Sequence, residues 1–245
     1  MSLSKNQLKL ITSLRQKKYR QKHKLFIAEG KKVVGELLNS TIEIEHLFVT
    51  EADFFNKVSA VKRTEISEGD LKKISTLKTP NNVLALFKIP NELREMNKGL
   101  IVALDGVNDP GNLGTIIRLC DWFGVEQLIC SKNTVDCYNQ KVIQSTMGSI
   151  ARVQINYLEL TSFLTETKLN IYSADMDGAD IYEIKMPKEG VLIMGNEANG
   201  ISKEVSELVK NKITIPRFGR LQEAESLNVA TAAAILLSEF KRGSS

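Results

Sequence analysis

Three segments of this chain place glycines and polar side chains directly after short apolar runs. They read LDGVNDPGNLGTIIRLCDWFG over 104–124, VLIMGNEANGIS over 191–202 and ITIPRFGRLQEAESLNVATAAAILLSEF over 213–240. Ligands of open α/β sheets bind beyond the carboxyl ends of the strands, so residues in these positions are candidates for chemistry. Neither a GxGxxG pattern nor a Walker lysine follows the strands, which argues against the common dinucleotide- and phosphate-binding motifs.

The first segment predicts a strand that ends at Asp105, a turn rich in proline and glycine, and a helix that begins near Asn112. Asn112 is a good N-cap by residue type. Arg118 falls beside the apolar stripe of that helix rather than on it. The stripe consists of Leu113, Ile116, Ile117 and Cys120. Asn112 and Arg118 are therefore either a cap and a surface cation, or groups that face a ligand.

The other two segments carry comparable features. Gly195 and Gly200 permit tight backbone turns, and Glu197 follows a buried strand, where a carboxylate is costly unless it is paired. Ser202 is expected to cap the next helix. Ser226-Leu227-Asn228 opens a C-terminal helix rich in alanine. A simple strand-to-helix turn and a C-terminal core helix are the structural alternatives to a ligand site.

Charge is distributed unevenly along the 245 residues. Residues 1–98 hold 19 Lys and Arg against 11 Asp and Glu, whereas residues 99–245 hold 14 against 18. This asymmetry favours a basic part that meets a polyanion such as nucleic acid, although lysine-rich faces also serve solubility.

The composition also excludes some classes of protein. No apolar run is long enough to span a membrane, and no signal peptide is expected at the N-terminus. The three cysteines, Cys120, Cys130 and Cys137, form no CxxC pair, which indicates reduced thiols in the cytoplasm. The two histidines lie far from the motifs, so neither a metal site nor a histidine-based triad is expected.

The pattern of apolar residues predicts alternating helices and strands. In the N-terminal half we expect a basic helix over the first 24 residues, a strand at Phe26–Ile27, a helix that buries Val33 to Leu38, strands over 42–50 and 82–90, and a short helix over 67–75. A linker is expected over 91–99. In the C-terminal half we expect strands over 100–104, 127–131, 152–156, 170–174, 190–194 and 212–215. The predicted helices cover 112–123, 138–149, 159–167, 202–210 and 226–242. Short apolar strands separated by helices indicate a parallel sheet with both faces covered.

In their order along the chain, the three segments resemble the signature motifs of the SpoU (TrmH-type) RNA ribose methyltransferases of the SPOUT superfamily. Asn112 and Arg118 fall on the asparagine and arginine of the first motif. Ala198 replaces a usual glycine, and the loop within 218–225 is longer than usual. The N-terminal half resembles the SpoU substrate-binding domain through its basic helix and the pattern of Arg20, Phe26, Glu29 and Gly30.

The resemblance implies an α/β protein with two parts. A small N-terminal α/β RNA-binding domain would occupy 1–95, and a parallel-sheet α/β domain that binds S-adenosylmethionine would occupy 99–243 and end in a trefoil knot. Knots are rare, so composition alone would not suggest one. The active unit would be a cytoplasmic homodimer, with the last helix and the first-motif helix near its interface.

The implied reaction is methyl transfer to a ribose 2′-hydroxyl of structured RNA. The two-domain layout favours ribosomal RNA as the substrate, and transfer RNA is the alternative. The implied catalytic residues are Arg118, Asn112, Glu197, Ser226 and Asn228. The implied cofactor contacts are Met194, Gly195, Asn196, Gly200, Ile215, Pro216 and Leu227. The implied RNA contacts are Arg15, Lys17, Lys18, Arg20, Lys22 and Lys24. The alternatives are a non-enzymatic RNA-binding protein that retains the fold, and a different nucleotide-dependent α/β enzyme, which the missing GxGxxG disfavours.

Overall fold

The computed structural model describes residues 3–90, 98–219 and 226–242. Its contacts divide the chain into two compact units, Met1–Glu92 with Asp136–Ala151, and Leu93–Val135 with Arg152–Ser245. The predicted domain boundaries, 1–95 and 99–243, stay a prediction. The expected linker lies mostly outside the described residues, as does most of the loop within 218–225.

The helices are α1 (Lys5–Ser13), α2 (Lys17–His23), α3 (Lys31–Leu38), α4 (Glu68–Ile74), α5 (Pro110–Trp122), α6 (Gln140–Thr146), α7 (Leu160–Glu166), α8 (Lys203–Ser206) and α9 (Val229–Arg242). The strands are β1 (Leu25–Glu29), β2 (Ile44–Val49), β3 (Arg63–Glu65), β4 (Val83–Lys88), β5 (Leu100–Leu104), β6 (Gln127–Ser131), β7 (Gln154–Leu158), β8 (Ile171–Asp180), β9 (Gly190–Met194) and β10 (Asn211–Thr214).

The first unit is built on a four-stranded sheet in the order β1-β4-β2-β3. β4 pairs antiparallel with β1 and β2, and β3 is parallel to β2. Its apolar side chains pack with the helices into a core that includes Ile11, Leu14, Ile27, Phe48 and Leu84. The sequence pattern did not predict β3, which has only three residues and no fully buried position.

The single helix predicted over the first 24 residues is two helices. Gln16 has an extended backbone and precedes α2, and Lys24 ends it in the left-handed conformation with φ 54°. Near the break, the guanidinium of Arg15 donates to the carbonyls of Lys73, Ile74 and Ser75 at 3.3–3.4 Å, at the end of α4. The break between α1 and α2 therefore coincides with a contact between Arg15 and the end of α4. Helical periodicity in the sequence cannot reveal such a contact.

A buried ion pair ties residues 136–151 into the first unit. Arg20 is 3% exposed and donates from Nε and Nη2 to Asp136 Oδ2 at 2.9 and 2.5 Å. Its Nη1 donates to the carbonyls of Leu14 and Arg15 at 2.9 and 3.0 Å. The ring of Tyr138 lies 4.9 Å from that of Phe26, centroid to centroid. The segment between β6 and β7 thus completes a unit whose other residues come from the N-terminal part of the chain.

The second unit contains a six-stranded sheet in the order β10-β8-β9-β5-β6-β7. All five strand pairings are parallel, which confirms the predicted parallel α/β sheet. Every residue of the central strands β5 and β9 is buried. Because successive side chains of a strand point to opposite faces, both faces of the sheet centre are covered. On one face Ile101 and Ile193 pack with α7 and α8.

The bounds of β5, β6 and β9 agree with the prediction, since each is a short apolar run followed by polar residues. Other bounds shift. β7 begins two residues later than the predicted strand begins, β8 continues to Asp180, and β10 lies one residue earlier than predicted. The helices α6, α7 and α8 are shorter than predicted, and α9 begins at Val229 rather than at residue 226.

Replacement of Asp136 by alanine tests the buried ion pair. The change leaves the charge of Arg20 buried and unpaired, which costs about 3–5 kcal/mol of unfolding free energy. Urea unfolding of wild type and variant measures the loss. The matched control is Glu43→Ala, which removes an exposed carboxylate that pairs with Lys62 and Lys88 in the same unit. Equal stability of the Asp136→Ala and Glu43→Ala proteins would contradict the structural role of the pair.

Candidate active site

The motif residues converge where two neighbouring parallel strands end. β5 pairs with β9, and Leu104 lies opposite Met194 at the end of that pairing. From β5 the chain moves to β6 and β7 on one side of the sheet, whereas β9 and β8 lie on the other side. A sheet whose strand order reverses in this way opens a crevice beyond the carboxyl ends of its strands, and ligands bind in such crevices.

A chain of hydrogen bonds joins the three motifs through Asn112. Its side-chain amide nitrogen donates to Glu197 Oε1. Its side-chain oxygen accepts from Asn228 Nδ2 at 2.9 Å. The side-chain oxygen of Asn228 accepts from the backbone N–H groups of Ala230 and Thr231 at 2.9 and 3.2 Å, which caps α9. Three residues proposed from the sequence therefore form one connected cluster, which we call the Asn112 cluster.

Asn112 is not the N-cap of its helix, so that interpretation is wrong. The cap is Asp109, whose Oδ1 accepts from the backbone N–H of Asn112 at 2.8 Å, and Pro110 occupies the first helical position. An aspartate followed by proline is a strong helix start. With the cap supplied by Asp109, the side chain of Asn112 is available for the cluster.

Gly195 holds the loop after β9 in a closed form. A Cβ at Gly195 would overlap the backbone of Gly200 and Ile201. The loop is pinned by two backbone hydrogen bonds between Asn196 and Gly200, at 2.9 and 2.8 Å. Gly200 has φ +66°, in the left-handed region that favours glycine. Glycine is therefore required at 195 by backbone packing and at 200 by conformation.

Both ends of the Asn196 side-chain amide form hydrogen bonds that position this loop. Its Nδ2 donates to the carbonyl of Gly106 at 2.7 Å, and its Oδ1 accepts from the N–H groups of Ala198 and Asn199. Met194 is 1% exposed, and its carbonyl accepts from Asp105 N–H at 2.9 Å. Both residues were predicted as cofactor contacts, and the structure gives each of them a scaffold role at the site.

The remaining site residues are more open. Arg118 is exposed on α5, and no hydrogen bond or ion pair joins it to another described residue. It lies six residues beyond Asn112, about 9 Å along the helix axis. Ser226 is exposed, Leu227 is 48% exposed, and Ile215 and Pro216 are half-buried. An exposed guanidinium and a half-exposed leucine are groups that a ligand can cover.

The basic residues proposed to contact RNA divide into two groups. Lys17, Lys18, Lys22 and Lys24 are exposed on or next to α2, and Lys18 Nζ lies 4.9 Å from the centroid of the Tyr19 ring. Arg15 is also exposed. Arg20 is not a surface cation, because its guanidinium is buried against Asp136. Its assignment to RNA contact is therefore wrong, and residue type alone could not reveal the partner 116 positions away.

Polar residues line a cavity of about 240 Å³ beside the Asn112 cluster, and sequence reasoning proposed only Asn196 and Gly200 of them as site residues. The cavity is lined by Asp105, Gly106, Asn108, Asn133, Asn196, Asn199, Gly200 and Ser202. Asp105 follows β5 and Asn133 follows β6 closely, so their position just beyond buried strands was the available signal.

Two other expectations concern metals and thiols. In the described ranges, no group of His, Cys, Asp and Glu side chains is arranged to hold a metal ion. All three cysteines are buried, and burial raises the pKa of the Cys120 thiol to about 12, which keeps it protonated. Within the part of the chain that is described, no helix is long and apolar enough to cross a membrane.

Family models match both parts of the chain. Residues 99–238 match the SpoU rRNA Methylase family, and residues 5–85 match the MRM3-like substrate binding domain. The chain belongs to the SpoU rRNA methylase family. The resemblance predicted from the three motifs is thereby confirmed, with an N-terminal substrate-binding domain.

Similar proteins from bacteria match this SpoU methylase over nearly its whole length. The 23S rRNA (guanosine(2553)-2'-O)-methyltransferase RlmP of Bacillus subtilis is 32% identical over 93% of both chains. A solved structure from the TrmH family of RNA methyltransferases, from Porphyromonas gingivalis, is 38% identical with a TM-score of 0.89 over 99% of both chains. The AdoMet-bound rRNA methyltransferase from Sinorhizobium meliloti is 30% identical with a TM-score of 0.87, over 99% of this chain and 96% of that one.

The site of this SpoU methylase has the features that S-adenosylmethionine needs. Leu227 offers apolar surface to an adenosine group, and the Cβ position of Gly200 faces open space, so a ligand can approach its backbone. Glu197 supplies a carboxylate for a positively charged ligand. The chemistry of these groups fits the cofactor.

Replacement of Gly195 by alanine tests whether the closed loop is a packing requirement. Overpacking against the backbone of Gly200 and Ile201 costs about 1–3 kcal/mol, and the Asn196–Gly200 hydrogen bonds should open. We expect a lower midpoint of urea unfolding and faster hydrogen exchange at Gly200 N–H. The matched control is Gly219→Ala, since no described atom lies within 4 Å of the Cβ position at Gly219. Unchanged exchange at Gly200 in Gly195→Ala would refute the requirement.

Proposed function

We propose that this protein transfers a methyl group from S-adenosylmethionine to a ribose 2′-hydroxyl of structured RNA, with ribosomal RNA as the favoured substrate. The observation that carries the proposal is the Asn112 cluster, in which Asn112 is joined to Glu197 and Asn228. Asn112 lies on α5, the helix that also presents the exposed Arg118. Family membership over 99–238 and the AdoMet-bound rRNA methyltransferase relative support the same reaction.

The residues proposed to hold the cofactor come from three loops. Gly195, Asn196 and Gly200 shape the loop after β9, Ile215 and Pro216 follow β10, and Leu227 precedes α9. We propose that these loops form the trefoil knot of the C-terminal segment. Backbone groups of such loops can bind a ligand without dependence on side-chain identity, which the exposed Gly200 favours. When bound, S-adenosylmethionine supplies an electrophilic methyl group on a positively charged sulfur.

We propose that Arg118 stabilises negative charge in the reaction. An arginine side chain is hardly ever deprotonated, so Arg118 does not act as the base that removes the hydroxyl proton. A guanidinium with no described partner can stabilise the negative charge that develops on the 2′-oxygen and can orient the adjacent phosphate. Asn112, Glu197, Ser226 and Asn228 hold the ribose and the loops, so positioning supplies much of the rate.

The first unit supplies the RNA affinity in this proposal. Lys18, Lys22 and Lys24 lie on or next to one short helix together with Tyr19, and Arg15 lies just before it. Clustered cations neutralise phosphates, and the half-buried ring of Tyr19 can stack on an unpaired base. The two-part layout and the match to the MRM3-like substrate binding domain favour ribosomal RNA. We place the activity in the cytoplasm, with domains at 1–95 and 99–243.

The direct test uses labelled S-adenosylmethionine and total RNA from cells that lack this protein. The wild-type protein should label one RNA, and mapping should find one 2′-O-methylated ribose. Arg118→Ala should lower methyl transfer by at least about a hundredfold, the scale seen when one preorganised charge-stabilising donor is removed. Its dissociation constant for S-adenosylmethionine, measured by calorimetry, should stay within twofold of wild type.

The matched control is Lys168→Ala, which removes an exposed cation near the amino end of β8, at the opposite edge of the sheet. It should methylate RNA like wild type. Near-normal turnover by Arg118→Ala would remove Arg118 from the mechanism. Failure of the wild-type protein to bind S-adenosylmethionine or to label any RNA would favour an RNA-binding module without activity.

We also propose that the active unit is a homodimer. Trp122, at the end of α5, is 84% exposed. Tryptophan is enriched in interfaces, where it often carries a large share of the binding energy. α5 packs against α9 in the same unit, so both helices can contribute to one surface. The exposed Trp122 thus supports an interface formed by these two helices.

Sedimentation velocity tests the homodimer. Trp122→Glu should raise the dissociation constant of the dimer by at least about thirtyfold, as expected for an interface hot spot. Val61→Glu is the control, because Val61 is 87% exposed and belongs to the first unit. A wild-type protein that sediments as a monomer at micromolar concentration, or a Trp122→Glu dimer as tight as wild type, would contradict this interface.

A further inference from the structure

The cavity beside the Asn112 cluster has an unusual lining for its size. Of its eight lining residues, four are asparagines and the others are Asp105, Gly106, Gly200 and Ser202. None of these side chains is hydrophobic. The volume of about 240 Å³ is below the range of about 300–1,000 Å³ that is typical of sites for drug-sized ligands. The cavity therefore suits one small polar group rather than a whole cofactor.

The floor of the cavity is held in place by hydrogen bonds. Ser131 Oγ accepts from Gly106 N–H at 2.9 Å and donates to Asn133 Oδ1 at 2.5 Å. Asp105 Oδ2 accepts from the backbone N–H of Ser202 at 2.8 Å. Gly106 has φ +72°, and a Cβ there would lie 3.1 Å from Asn133 Nδ2. The lining is thus preorganised, and a side chain at 106 would crowd it.

Several polar groups in the cavity have no described partner. The side-chain amides of Asn108 and Asn199 form no hydrogen bond with any other described residue, nor does Asn133 Nδ2. An asparagine amide offers two N–H donors and a carbonyl acceptor. Three such asparagine side chains around one cavity can form hydrogen bonds with a planar group that carries donors and acceptors along one edge.

The charge of the lining residues limits which chemical class of ligand the cavity can bind. No lining residue is a cation, and Asp105 brings a carboxylate. A phosphate is therefore disfavoured, since it would lie beside a negative charge with no lysine or arginine to balance it. A neutral group with N–H donors is favoured, because the carboxylate can accept from it. A nucleobase has this chemistry.

The cavity and the Asn112 cluster take residues from the same two segments of the chain, one after β5 and one after β9. Asn108 immediately precedes Asp109, the cap of the helix that carries Asn112 and Arg118. Asn199 lies two residues after Glu197, in the loop that Gly195 closes. A group in the cavity is thus next to the residues that we assign to ribose positioning, as the base of the same nucleotide would be.

We propose that this cavity binds the base of the nucleotide whose ribose is methylated, with Asn108 and Asn199 reading its hydrogen-bonding edge. The inference rests on the proposed function. A base can enter only when it is unpaired and turned out of its stack, which is how enzymes reach a target nucleotide in structured RNA. The cavity would then select the nucleotide, while the basic first unit supplies affinity for RNA in general.

The experiment is a double-mutant cycle between protein and RNA. The two RNAs are a fragment that contains the mapped nucleotide and the same fragment with an abasic ribose at that position. The proteins are wild type, Asn108→Ala, Asn199→Ala and the control Asn170→Ala, an exposed asparagine that immediately precedes the amino end of β8. The measurements are RNA affinity, KM and kcat for methyl transfer, and the dissociation constant of S-adenosylmethionine.

With intact RNA, Asn108→Ala and Asn199→Ala should each weaken binding and raise KM about fivefold to tenfold, as expected for the loss of a hydrogen bond. With the abasic RNA they should bind like wild type, since the base that they read is missing. The affinity for S-adenosylmethionine should not change in any variant, and Asn170→Ala should match wild type in every measurement.

Three results would overturn the assignment of the cavity. Equal weakening on intact and abasic RNA would mean that the asparagines contact another part of the RNA. A weaker affinity for S-adenosylmethionine with unchanged KM for RNA would make the cavity a cofactor subsite. No change in either variant would exclude a binding role. These results leave the proposed function standing if wild type methylates the fragment, whereas an inactive wild type rejects both proposals.

Discussion

The side-chain amide of Asn112 is the interaction on which the arrangement of the site depends. It links residues that lie 85 and 116 positions away along the chain, Glu197 and Asn228. An amide can do this because it donates and accepts at once, so that one side chain satisfies a carboxylate on one side and another amide on the other. An alanine at 112 would lose both links. Three loops from different parts of the second unit therefore share one polar junction.

This junction can fix the geometry of the site because the strands and helices that carry its residues are themselves held in place. β5 and β9 are buried at every position and end side by side, so the loops that leave them start from fixed points. Asp109 caps α5, so the side chain of Asn112 does not have to cap the helix and can form the cluster. Asn228 caps α9 with its oxygen and still donates to Asn112 with its nitrogen. Asn228 thus belongs both to the start of α9 and to the cluster, which couples the stability of that helix start to the geometry of the site.

The sequence predicted the parts of this arrangement that follow from local patterns. The central strands and the buried stripe of α5 could be located from apolar runs and helical spacing, and the motif residues from their positions after strands. Properties set by distant partners could not be predicted. The charge of Arg20 predicts a position on the surface, but the ion pair with Asp136 makes its burial possible. Asn112 has the residue type of a cap, but Asp109 takes that place. Asn108, Asn196 and Asn199 lie within the motif segments and Asn133 does not, and only the folded chain brings the four around one cavity.

The insertion of residues 136–151 into the first unit has a consequence for how this protein can be divided. The stretch lies between β6 and β7 of the other unit, so no single cut separates the two units along the chain. A fragment that ends near residue 95 would keep the guanidinium of Arg20 but lose the carboxylate and the aromatic ring that cover it in the whole protein. Gene fusions, domain exchanges and truncations that treat the N-terminal part as a free module would therefore expose a surface that the intact chain never shows. The first unit of this chain therefore cannot be removed whole by cutting the chain at one position.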